Sequence, residues 1–131
     1  VDRVFLDANV LFSASYCDDN RLLQLWKLAD VELVTSALAA TEALRNLDDE
    51  VQHERLNNLL ASIRLVPEPS PESNLPSGVT LPEKDAPILL AAIQARATHL
   101  LTGDKRHFGP LYDKVVNGVL IQRPSQFLAG R

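Results

Sequence analysis

Apolar residues fall along this chain in two alternating patterns. Short uninterrupted runs rich in strand formers occur at residues 4–6 (Val4, Phe5, Leu6), 32–35, 65–66, 99–102 and 119–122. Runs of that length predict strands buried on both faces. Between them, apolar positions recur at helical spacing. Leu22, Leu25, Trp26 and Ala29 stand at i, i+3, i+4 and i+7 behind the N-cap candidates Asp18, Asp19 and Asn20. Ala40, Ala43, Leu44 and Leu47 follow Ser36, which is placed to cap their helix, and Leu56, Leu59, Leu60 and Ile63 follow Asp48 and Asp49. Asp85 caps or begins a further helix through Ile88, Leu89, Ala92, Ile93 and Arg96. That helix accepts Pro87 because proline is tolerated in the first turn.

The first strand is expected to end at Asp7, with Ala8 and Asn9 as turn or helix-opening residues. The Asn117-Gly118 turn leads into the last strand, and Pro124 into a short terminal helix containing Phe127 and Leu128. Five of the eight prolines lie between Pro67 and Pro82, so that stretch is read as a semi-rigid surface loop. Strands alternating with helices predict an α/β fold, a three-layer α/β/α sandwich whose sheet is mostly parallel and joined by right-handed crossovers. With 131 residues and no internal repeat or linker, a single domain spanning 1–131 is expected.

In such a sheet, ligands bind beyond the carboxyl ends of the strands, near the point where strand order reverses. Four acids converge on that edge. Asp7 lies just past the first strand and Asp104 just past the fourth, while Asp85 opens the helix after the third. Glu42 sits early in the helix after the second strand, and helical side chains lean back toward their N-terminus, hence toward the same edge. Each acid alone reads as a turn former, a cap or a solvated side chain. Together they repel, and a cation is needed to make the cluster tolerable. All-oxygen ligation suits Mg²⁺ or Mn²⁺, and a cation held so can polarise a phosphodiester and activate water. Hydrolysis of a phosphate ester follows.

Composition narrows this further. The chain is 46% hydrophobic and 23% charged, which excludes a disordered or collagen-like protein. No apolar stretch is long enough to span a bilayer, and no secretory leader precedes Asp7, so no membrane role is expected. Cys17 is the one cysteine. It rules out a disulfide framework and a thiolate zinc site, fits a reducing cytoplasm, and reads as a small buried hydrophobe. Trp26 reads as a packing anchor. A net charge of −4 argues against binding nucleic acid through a broad basic surface. Basic residues do crowd the acids in sequence, and Arg45, Lys84, Lys105 and Arg106 are candidate phosphate contacts, with solvated surface as the plain alternative. His107 and His53 are assigned to the surface and His99 to strand packing.

The run from Val4 to Leu11, with Asp7 and Asn9 inside it, the acidic helix around Thr41 and Glu42, residues 85–97, and Thr102-Gly103-Asp104 resemble the PIN domain, especially the VapC-like toxins of bacterial toxin–antitoxin systems. The resemblance covers essentially the whole chain. It implies a sheet of strand order 3-2-1-4-5 and a Mg²⁺- or Mn²⁺-dependent endoribonuclease that forms a homodimer and is held inactive by a cognate antitoxin. Carried over by position, Asp7, Asp85 and Asp104 become metal ligands, Glu42 binds metal or orients the attacking water, and Asn9 and Thr102 steady the carboxylates. Many relatives carry a further acid where this chain has Arg106 and His107, so one well-formed metal position is expected. Two other readings compete: a catalytically inactive PIN-like module that binds RNA or protein, and a phosphohydrolase with Asp7 as nucleophile. The second lacks its usual acid two residues on, where Asn9 stands.

Overall fold

The computed structural model describes residues 1–131. Six strands form one sheet: β1 (Asp2–Leu6), β2 (Val31–Ser36), β3 (Arg64–Val66), β4 (His99–Leu101), β5 (Val115–Val116) and β6 (Val119–Gln122). Their order is β3-β2-β1-β4-β6-β5, parallel throughout except for the β5–β6 pair. The five expected strands are present in the expected order. The added β5 is half of a hairpin whose turn, Asn117-Gly118, takes the positive φ values of 46° and 87° that a tight hairpin demands.

Six helices cover the sheet: α1 (Ala8–Tyr16), α2 (Ala37–Asn46), α3 (Glu50–Leu60), α4 (Ala86–Gln94), α5 (Lys105–Phe108) and α6 (Pro124–Ala129). Chain direction reverses once. From β1 the sheet grows through β2 to β3, and α4 then carries the chain back across to β4 on the other side of β1. With right-handed crossovers this puts α4 on the face opposite α1 and α2. Both faces of the central strands are therefore covered, and Val4, Phe5, Leu6, Leu100 and Leu101 are fully buried. No helix is long and apolar enough to cross a membrane.

Of the two readings of Ala8 and Asn9, the helix opening holds: the chain enters α1 at once, with Asp7 as N-cap. Several local expectations are corrected. The stretch after Asn20 is a 3-10 helix, Arg21–Lys27, and Ala29 lies beyond it. Leu25 is its one fully buried residue, and Trp26 and Leu28 pack beside it against the core. Helix α4 stops at Gln94, and Arg96 adopts φ 57°. Cys17 is exposed, being the first extended residue after α1. His53 is half-buried, with Nε2 against the Leu44 and Leu47 carbonyls at 2.9 and 2.6 Å, and so pins the α2–α3 connection. Trp26 Nε1 donates to the Leu59 carbonyl at 3.1 Å, as an anchor should. His99 packs edge-on against Phe127.

Candidate functional site

The reversal point lies between β1 and β4, and their carboxyl ends deliver Asp7 and the Thr102-Gly103-Asp104 turn side by side. Asp7 is 5% exposed. Its Oδ1 accepts from the Ala8 N–H at 2.7 Å, and its Oδ2 accepts from Thr102 Oγ1 at 2.8 Å and Asn9 Nδ2 at 3.4 Å. Burial pushes this carboxyl from its ordinary 3.8 up to about 6; the Thr102 and Ala8 hydrogen bonds oppose the rise, and the charges of Asp85 and Glu42 add to it.

Thr102 ties the site together. Its buried hydroxyl donates to Asp7 and accepts from Asn9 Nδ2 at 3.3 Å and from the Asp104 N–H at 3.1 Å. Asn9 in turn accepts the Gly103 N–H at 2.9 Å on Oδ1. Tyr112 completes the brace by donating its hydroxyl hydrogen to the Thr102 carbonyl at 2.9 Å. The Asn9 and Thr102 side chains thus hold Asp7 and the Asp104 backbone in one fixed relation.

Asp85 stands at the N-cap position of α4 but makes no capping hydrogen bond, so both of its oxygens are free of the helix end. Asp104 caps α5, its Oδ1 accepting the His107 N–H at 3.1 Å. His107 is the residue that sequence reasoning misplaced. Its Nδ1 lies 3.0 Å from Asp104 Oδ2 and 2.9 Å from Asp85 Oδ2, and its side chain is 24% exposed. One ring nitrogen carries one hydrogen. Bonded to Asp104, it leaves Asp85 Oδ2 close to the ring yet without a hydrogen-bond donor, a buried orphan acceptor. Burial also raises Asp85, offset by the nearby His107 and reinforced by Asp104. The i,i+3 spacing of Asp104 and His107 was a readable sign that they share a helix face. The approach of Asp85 from a distant segment was not.

These acids open into a cleft of about 360 Å³ lined by Asp7, Glu42, Asp85 and Asp104, with Asn9, Lys84 and the unforeseen Phe12 and Asn46 among its other walls. Asn46 follows Glu42 by one helical turn on α2, which is why both reach the cleft. Glu42 is the one exposed acid of the four. Of the candidate phosphate contacts, Lys84 borders this cleft and Lys105 borders a neighbouring one. Arg45 and Arg106 are exposed and line neither.

Asp85, Asp104 and His107 each present a ligand atom within 4.8 Å of the other two. The carboxylate oxygens of this cluster, one of them orphaned, and the buried neighbouring carboxyl of Asp7 fit a hard divalent cation of the Mg²⁺ or Mn²⁺ class.

Compared with known proteins, the chain matches a family model described as PIN domain over residues 3–106. No curated protein matches it in sequence. Among solved structures it is similar to the crystal structure of VapBC2 from Rickettsia felis bound to a DNA fragment from their promoter, with a TM-score of 0.64 and 12% identity over 92% of this chain and 98% of that one. At that identity the likeness is one of fold.

Proposed function

The chain belongs to the PIN domain family, and on that premise we propose that it is a Mg²⁺- or Mn²⁺-dependent endoribonuclease acting as the toxin of a toxin–antitoxin pair. One observation carries the reading: four carboxyl groups from four separate segments line a single cleft, and the most buried of them is pushed up to about 6. Such an arrangement costs stability in an ion-free chain. A bound divalent cation would offset that cost, polarise the scissile phosphodiester and neutralise the leaving oxygen.

In this reading Asp7, Asp85 and Asp104 are the ligands. Thr102 and Asn9 hold Asp7 in register through the hydrogen bonds described above, and His107 keeps Asp85 and Asp104 facing one another. Glu42 reaches solvent at the cleft and orients the attacking water. Lys84 meets the phosphate from the rim. A cognate antitoxin and a second copy of the chain are the proposed protein partners; the antitoxin is suggested by the structural relative, a VapBC2 assembly.

The test is cleavage of total RNA by the purified protein with Mn²⁺ or Mg²⁺. Chelator abolishes cleavage, and Asp7→Asn lowers it on the order of a thousandfold. Intact RNA after incubation with the wild-type protein and either cation overturns the assignment, and leaves an inactive binding module in its place.

A further inference from the structure

A second cleft, of about 330 Å³, shares a wall with the acidic one. Asn9 lines both, and Gly103, held to Asn9 by its N–H, separates the second cleft from Asp104. The chemistry changes across that wall. In place of carboxylates, the second cleft carries Lys105 and Arg123. Neither is paired with an acid: the ion pairs of this chain use Arg3, Arg64, His107 and Arg131. In a protein of net charge −4, two unpaired cations in one cleft beside a cluster of acids mark a place prepared for an anion.

Arg123 is also held in place. Its guanidinium lies over the Tyr112 ring, 5.8 Å from the centroid, and the same tyrosine braces the Thr102 carbonyl. One aromatic ring thus links this cation to the strand end that positions Asp7. Below the two cations the cleft has apolar walls from Leu22, Val10 and Pro124. A cationic rim over an apolar floor matches a nucleotide, whose phosphate is charged and whose ribose and base present flat, weakly polar faces. The volume is at the lower end for small-ligand clefts, enough for one nucleotide and too little for a duplex.

We propose that this cleft is a subsite for the nucleotide adjoining the scissile phosphate of a single-stranded RNA, with Lys105 and Arg123 on its phosphate and the Leu22 side of the cleft against its sugar and base. The direction of the strand across the Asn9–Gly103 wall rests on the nuclease reading; the affinity of the second cleft for a nucleotide does not.

The experiment is fluorescence anisotropy of a labelled oligouridylate with the intact protein in chelator, where binding is read without cleavage. The Lys105→Gln/Arg123→Gln double variant binds about tenfold or more weakly than wild type, and the slope of log affinity against log salt falls by about 0.7, for the one single-strand phosphate that is no longer neutralised. Arg123→Lys keeps the slope. Arg21→Gln/Lys27→Gln, at a separate cleft, changes neither quantity. Thermal melting checks the fold; should loss of Arg123 unfold the chain, Lys105→Gln alone, exposed and unpaired, lowers affinity and slope in the same direction by less than the double variant. Unchanged affinity and slope in the folded variants, or a wild type that binds no oligouridylate, overturns the subsite. The two proposals fail separately: cleavage with unaltered binding in the variants sinks the subsite alone, and variant-sensitive binding without cleavage sinks the nuclease alone.

Discussion

Strand β1 begins on one aspartate and ends beside another, and the two live in opposite conditions. Asp2, at the amino edge of the sheet, is paired with Arg131, whose guanidinium holds its carboxyl below the ordinary value. Next to it, Glu32 is held down by Arg3 at 2.5 Å, with Arg64 at 3.3 Å on its other oxygen. Asp7, at the carboxyl edge, has no arginine; burial raises it, and the other acids of the cleft raise it further. One edge matches its charges and is settled. The other gathers like charges and is completed by something the chain does not supply. The same residue types therefore support the fold at one end of a strand and prepare a site at the other, and the difference is solvent access plus the sign of the neighbours.

The sharpest way to break this contrast is to vary pH without a cation. In the folded protein Asp7 titrates near 6, against 3.8 when exposed, so the native state holds its proton more tightly than the unfolded chain. Its contribution to stability is complete below about pH 4 and is lost as pH rises through about 6. The loss from Asp7 comes to about 3 kcal/mol by pH 7.5, and Asp85, raised in the same direction, adds to it. Chelator-treated protein should thus show a falling unfolding free energy between pH 4 and pH 7, read by urea denaturation. Mg²⁺ or Mn²⁺ should restore most of it, more so at the higher pH, because the ion binds the deprotonated cluster. Asp7→Asn should flatten the slope. A wild type equally stable across that range in chelator would place the carboxyl edge in the same class as the amino edge.

A smaller effect comes from loosening the carboxyl edge without removing a charge. Thr102→Val keeps the buried shape but deletes the hydroxyl that donates to Asp7 and accepts from Asn9 and the Asp104 backbone. Cation affinity, measured by calorimetry, should fall about 10- to 100-fold, which is the usual cost of removing a group that orients a ligand. Asp7, having lost its strongest side-chain donor, should titrate higher still in chelator. A variant with wild-type cation affinity would show that Asp7 needs no bracing.

How much of each edge was readable in the sequence follows from how local its causes are. The buried strands announce themselves as apolar runs, and Asp7 and Asp104 stand where such runs stop, so the architecture and the gathering of the four acids were legible. The caps at Ser36 and Asp49 depend on a side chain and a backbone N–H two or three residues away, and were legible too. Short elements were not. Helix α5 is a single turn and β5 two residues, too brief to show any period. The role of His107 needs Asp85 brought against it by the crossover through α4, and the unpaired state of Lys105 and Arg123 needs the whole three-dimensional charge map. Helix α1 was masked because Asp7-Ala8-Asn9 carries turn chemistry that serves equally as a helix start. The amino-edge network was invisible for a further reason: Arg131 reaches Asp2 from the far end of the chain.

That network supplies the smallest expected change. Arg131→Ala removes ion pairs to Asp2 and Asp30 and the packing of the guanidinium over Phe127 at 4.3 Å. Pairs this exposed are screened by water and typically contribute under about 1 kcal/mol, so the variant should lose about 1 kcal/mol once the cation–π contact is included. Its pH signature is opposite to that of Asp7. Because Arg131 holds Asp2 below 3.8, that stabilisation is present above that value and is lost as pH falls through the lowered one, so the gap between wild type and variant should narrow in acid to what the Phe127 contact contributes. RNA cleavage and cation affinity should be untouched, since the sheet's buried core lies between the two edges and the variant leaves Val4, Phe5 and Leu6 packed. A change in cation affinity in Arg131→Ala would mean that β1 transmits strain along its length, and that the two aspartates are coupled through the strand they bound.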